Sequence, residues 1–120
     1  MLLVTSLVLN ALIVFPVSIG MLSGQVGMDA VFGPPNTARQ ILASIYLAIG
    51  LVSLIALGGL ALGYSSIVIP MAAGLLTMQV IYKLITVVTV GFGSPVVLTN
   101  LFVVAVHCVT LAGLARQMSV

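Results

Sequence analysis

A single lysine lies inside a long apolar stretch, and it is the residue whose chemistry most needs an explanation. Lys83 stands about seven residues before the end of the stretch that runs from Ser66 to Val90. Gln79 and Thr86 lie four residues before it and three after it, so the three side chains share one face of a helix.

Three interpretations of Lys83 are open. The side chain extends to the headgroups as an interfacial anchor, forms a buried polar site with Gln79, Thr86 and the following segment, or pairs with a carboxylate of another subunit. We favour the first, in which Lys83 and Gln79 belong to a contact surface for lipid or for a partner subunit near one headgroup layer.

His107 is the only histidine, and it lies near the middle of the last apolar stretch. Imidazole in a membrane helix can ligate haem iron or the magnesium of a pigment. Two-histidine haem ligation would need a second subunit, because this sequence has no second histidine. The sequence favours a packing histidine bonded to a neighbour such as Gln79 or Asn100, and leaves a cofactor ligand or a proton carrier open.

The remaining charged side chains lie near the ends of apolar stretches. Arg39 falls in the predicted first turn of a helix, where the dipole disfavours a cation, so an anion must offset it. A lipid phosphate is the expected anion, with Asp29 or a partner protein as alternatives. Arg116 ends the last stretch at the headgroups. We therefore add Arg39, Asp29 and Arg116 to the predicted contact surface for lipid or partner.

Several function classes are excluded by what the sequence lacks. No acidic residue lies in an apolar stretch, whereas the small multidrug exporters rely on a glutamate in their first helix. There is no phosphate-binding glycine loop followed by lysine, no HExxH and no CxxC motif, and Cys108 is the only cysteine. The net charge of +2 is too small to indicate nucleic acid. We predict no catalytic residue, no metal site and no enzymatic activity.

The composition determines the class of protein. Of 120 residues, 62% are apolar and 3% are charged, whereas a soluble domain carries roughly a quarter charged residues. Four apolar stretches are long enough to cross a bilayer, at about 2–22, 37–62, 66–90 and 96–115. Short turns join the last three, so we predict a single all-α transmembrane domain, an up-down-up-down bundle of four helices.

Small residues and prolines refine this layout. The long connection 23–38 contains Pro34 and Pro35 and is apolar, so we expect it to lie on the membrane surface or against another protein. Ser44, Ala48 and Ala56 predict a stripe of small residues on the second span, and small residues favour close helix packing in lipid.

The stretch 38–51 reads ARQILASIYLAIGL and follows a loop rich in glycine and proline. It resembles the start of the second helix in small bacterial four-helix proteins of the DoxX-like type, which also carry an Arg…Tyr…Gly-Leu pattern there. Here the pattern falls on Arg39, Tyr46, Gly50 and Leu51. The resemblance implies a four-helix fold and assigns no role to these residues.

Two hypotheses for function follow. The first is a non-catalytic accessory subunit that packs in lipid against a larger respiratory or photosynthetic complex, in a bacterial inner membrane. The alternative is a small solute carrier or channel with a polar path through Gln79, Lys83, Thr86, Asn100 and His107.

Overall fold

The structure is a computed structural model and describes residues 1–118. The described residues form helices joined by turns, and they contain no strand. The helices are α1 (Leu2–Ser23), α2 (Met28–Phe32), α3 (Thr37–Ala61), α4 (Ser65–Thr89) and α5 (Pro95–Met118).

Four of these helices, α1, α3, α4 and α5, are long and apolar enough to cross a membrane, with mean hydropathies between 1.7 and 2.4. The chain is therefore an integral membrane protein, and the predicted fold class is confirmed. The last helix begins at Pro95, one residue before its predicted start, because proline is well tolerated in the first turn, where its missing N–H is not needed.

Neighbouring spanning helices run antiparallel, because residues early in one helix contact residues late in the other. Early residues of α1 meet late residues of α5, with the hydroxyl oxygens of Ser6 and Thr110 2.7 Å apart. Lys83, in the second half of α4, bonds to Asn100 near the start of α5. The helices therefore pass up and down in turn, and α1 closes the bundle between α3 and α5.

The tightest pairing, between α1 and α3, depends on a glycine. A Cβ atom at Gly50 would lie 2.8 Å from Phe15 Cζ and 2.9 Å from Val14 Cγ2. Real Cβ atoms do not approach other heavy atoms this closely, so only glycine allows the two backbones their present separation.

The predicted stripe of small residues on α3 does not act as one surface. Ala56 is fully buried, whereas Ser44 and Ala48 are exposed. Each four-residue step advances about 40° around a helix, so residues 44 and 56 lie about 120° apart.

The long connection contains the short helix α2, which packs on the chain itself. Met28 and Phe32 contact the buried cluster formed between α1 and α3. The rings of Phe32 and Tyr46 meet edge to face, with centroids 6.2 Å apart. The connection thus covers one end of the bundle, and the Asn36 side chain caps α3 by accepting a hydrogen bond from the Arg39 backbone N–H.

Candidate functional site

The centre of the bundle is held by a pair of side-chain amides. Asn10 Nδ2 donates to Gln79 Oε1 at 2.7 Å, and Gln79 Nε2 donates back to Asn10 Oδ1 at 3.1 Å. Asn10 Nδ2 also lies 3.2 Å from the hydroxyl oxygen of Ser53. These bonds join α1, α3 and α4 at one level of the membrane interior.

His107 connects this pair to the fourth spanning helix. Its Nε2 lies 2.9 Å from Asn10 Oδ1, and its Nδ1 lies 3.1 Å from the hydroxyl oxygen of Ser6. An amide oxygen only accepts hydrogen bonds, so Nε2 carries a hydrogen and donates it to Asn10. The Ser6 hydroxyl in turn contacts that of Thr110.

We call these side chains the central network. Each is at most 2% exposed, and each of the four spanning helices supplies at least one of them. In lipid no water is present to satisfy a polar group, so such groups must bond to one another. The members are Ser6, Asn10, Ser53, Gln79, His107 and Thr110.

The predicted partners of His107 were wrong. Its neighbours are Ser6 and Asn10, and not Gln79 or Asn100. Both ring nitrogens are engaged within the chain, and the side chain is fully buried. This arrangement does not fit a ligand of haem iron or of a pigment magnesium, since such a ligand must offer one nitrogen lone pair to a bulky group.

Lys83 and Gln79 do not lie on an outer contact surface as predicted. They are 3% and 0% exposed, and Lys83 Nζ donates to Asn100 Oδ1 at 2.9 Å. Asn100 Nδ2 lies 3.4 Å from the Thr86 hydroxyl. Lys83 faces inward, towards Asn100, as the interpretation of a buried polar site with Thr86 and the following segment predicts. Gln79 is not part of that site, because it bonds to Asn10 of α1.

A cavity of about 280 Å³ reaches Lys83 from the end of the bundle that α2 covers. It is lined by the second half of α1 and the first turns of α5, whereas the hydrogen bonds between these two helices involve the first half of α1. A larger cavity of about 400 Å³ at the opposite end is lined by no charged side chain. The cavity beside Lys83 is lined by Ile13, Val14, Val17, Gly27, Met28, Val31, Phe32, Tyr46, Lys83, Pro95, Val96, Thr99 and Asn100.

Arg39 forms an ion pair with Asp29, which was one of the alternatives to lipid phosphate. Its guanidinium also donates to the carbonyl oxygens of Gly33, at 3.1 Å, and Met21, at 3.3 Å. The Arg39 side chain is 3% exposed, so it does not reach the headgroups, whereas Asp29 is 70% exposed. Arg116 lies exposed in the last turn of α5, where its predicted contact with lipid stays a prediction.

Replacing Arg39 with alanine is expected to loosen the connection that holds α2. The guanidinium joins α1, α2 and the following turn, and its loss leaves two backbone carbonyls without this donor. Amide hydrogens of residues 24–36 should exchange about tenfold faster, as a loss of about 1.4 kcal/mol implies. Hydrogen exchange read by mass spectrometry in detergent measures this. Gln40→Ala, an exposed change one residue away, is the control, and equal exchange in both variants would contradict the assigned role.

Four members of the central network are not among the residues predicted from the sequence, and these are Ser6, Asn10, Ser53 and Thr110. One signal was present in the sequence, because Ser6 and Asn10 are four residues apart in an otherwise apolar helix. Ser53 and Thr110 gave no such signal, since single hydroxyls in membrane helices commonly bond to their own backbone, as these also do.

Comparison of the chain with protein-family models, with curated proteins and with solved structures finds no match. The resemblance of residues 38–51 to DoxX-like proteins therefore stays a prediction.

Proposed function

We propose that the protein is a small, non-catalytic carrier that takes a solute into the cavity beside Lys83 and passes it along the polar interior of the bundle. One observation carries the proposal. A buried lysine lies where an apolar cavity meets a chain of buried polar side chains. Ionisable residues inside a membrane protein are costly and commonly mark solute pathways.

The polar groups follow one another along the inner faces of the helices. On α4, Thr86, Lys83 and Gln79 succeed one another at intervals of about 4.5 and 6 Å of helix rise. On α5, Asn100 is followed by His107 about two turns further along. The path is closed in this conformation, because the side chains of the central network fill it and bond to one another. Passage of a solute therefore requires α1 and α5 to part, as in the alternating motions of other transporters.

The test is solute flux in liposomes reconstituted with the purified protein. Uptake of a panel of small anionic and neutral solutes should exceed that of protein-free liposomes for at least one member. Lys83→Met should return that uptake to within a few per cent of the protein-free rate, since methionine keeps an unbranched chain of similar length and removes the charge. Gln40→Ala serves as the control, because Gln40 lies outside the cavity and the central network.

Two results would overturn the carrier. One is uptake no faster than in protein-free liposomes for every solute, and the other is unchanged uptake in Lys83→Met.

The second candidate function is an accessory subunit of a larger respiratory or photosynthetic complex in a bacterial inner membrane. The observation in its favour is a shallow groove on the outer face of α3, lined by Thr37, Gln40, Ile41, Ser44, Ile45 and Ala48. Small and weakly polar residues on an outward face suit contact with another membrane helix. The test is purification from native membranes in mild detergent. If the protein purifies without other subunits, the accessory-subunit hypothesis is contradicted.

A further inference from the structure

We infer that the cavity beside Lys83 binds a small carboxylate with an apolar body, with its carboxylate on the Lys83 ammonium. The inference deepens the proposed function and rests on it in one respect, since it takes this cavity as the solute site.

Among the described residues, Lys83 has no acidic side chain beside it. Asp29 is the only acidic side chain, and it is bonded to Arg39 on α3. Lys83 bonds to the neutral amide of Asn100 and lies 5.0 Å from the centre of the Tyr82 ring. A buried ammonium is costly without an anion beside it. The chain offers Lys83 no acidic side chain, and a carboxylate in the cavity would supply the missing charge.

Polar groups are distributed unevenly around the cavity. Its walls are mostly aliphatic and aromatic. The polar side chains of Lys83, on α4, and Asn100, on α5, are hydrogen-bonded to each other at one place in the lining. A volume of about 280 Å³ corresponds to about nine molecules of liquid water. This arrangement suits a compact ligand with one charged end, such as a medium-chain acid.

The head group follows from the basic residues that reach the cavity. Lys83 is the only one among the described residues that line it, and Arg39 is turned towards Asp29. Phosphate groups are commonly held by the paired donors of arginine, which this cavity lacks. One ammonium beside one amide fits a singly charged carboxylate better than a phosphate.

Lys83 provides its own reporter, because it is the only lysine of the chain. Protein labelled with ¹⁵N at the lysine ε-position and placed in zwitterionic nanodiscs gives one Nζ resonance. Octanoate should shift this resonance in a saturable way, and octanol, which shares the apolar body, should not. Affinity should rise about fourfold with each methylene from butyrate to octanoate, and octyl phosphate should bind at least tenfold more weakly than octanoate.

A variant that keeps the lysine separates binding from general damage to the fold. Val17→Phe adds a ring to the cavity wall and should weaken octanoate binding at least tenfold. Val88→Phe, at a position that is 87% exposed, should leave it unchanged. Lys83→Met should abolish the saturable heat of octanoate binding in calorimetry.

The carboxylate site is contradicted if octanoate causes no saturable shift of the Nζ resonance, or if octanol causes a shift as large as that of octanoate. It is also contradicted if octyl phosphate binds as tightly as octanoate, or if Val17→Phe binds octanoate as tightly as the original chain. These outcomes are distinct from failure of the carrier. Saturable octanoate binding without flux would remove the carrier and support this site. Flux of some solute without octanoate binding would support the carrier and overturn the carboxylate assignment.

Discussion

Replacing Asn10 with alanine is expected to destabilise the bundle by about 2–4 kcal/mol, since it leaves several buried polar groups without partners. Asn10 bonds to Ser53, Gln79 and His107, and all three are fully buried. Single hydrogen bonds in membrane proteins contribute about 0.6 kcal/mol on average. The expected loss is larger because one substitution removes several bonds, and water does not replace them in the membrane interior.

Reversible unfolding in mixed detergent micelles, followed by circular dichroism, measures this loss. Ser44→Ala is the matched control, because its exposed hydroxyl donates only to the Gln40 carbonyl of the same helix. The control should change the free energy of unfolding by less than about 0.5 kcal/mol. If Asn10→Ala unfolds with the free energy of the control, the central network does not hold the helices together.

Gly50→Leu is expected to destabilise the protein by about 1–3 kcal/mol through overpacking between α1 and α3. The new Cβ atom would overlap Phe15 and Val14. The Phe15 ring can turn aside, but Val14 is 3% exposed, and its β-branched side chain has one strongly preferred rotamer in a helix. The overlap with Val14 can therefore be removed only if the backbones of α1 and α3 move apart.

Gly58 provides the control for this change on the same helix, since a Cβ atom there would meet no atom within 4 Å. Gly58→Leu should leave stability unchanged or raise it by up to about 1 kcal/mol, because leucine favours the helix more than glycine does. The same unfolding measurement applies to both variants. Equal free energies of unfolding for the two would show that Gly50 is not required for close packing.

The four spans could be predicted from the sequence because length and apolarity alone define them. Which face of each span turns towards the interior of the bundle could not be predicted in this way. In a water-soluble bundle the apolar face turns inward, whereas here every face is largely apolar, and the inner face is marked by its few polar residues. Lys83 illustrates the difficulty. Its spacing from Gln79 showed that they share a face, but the inward direction depends on Asn100, which is on another helix.

Side-chain contacts between different helices could not be predicted from the sequence either. Asp29 is one of the partners that the sequence allows for Arg39. The short helix α2, which carries Asp29, is not predicted from a connection rich in glycine and proline. For His107, the decisive neighbours Ser6 and Asn10 are about a hundred residues away in the sequence. Spacing within one helix carries no information on such contacts.

The short connection between α3 and α4 bears on how the chain enters the membrane during synthesis. Only Leu62, Gly63 and Tyr64 separate the two helices. With a mean hydropathy of 1.7 against 2.4 for α3, α4 is the less apolar of the two. A lysine costs up to about 2.5–3.5 kcal/mol in a helix that the translocon inserts alone, that upper limit applying at the helix centre, and Lys83 lies in the second half of α4. Because three residues are too few for α3 to cross the bilayer while α4 stays in water, we expect the two helices to enter as a hairpin, so that Lys83 is in the bilayer before Asn100 can bond to it.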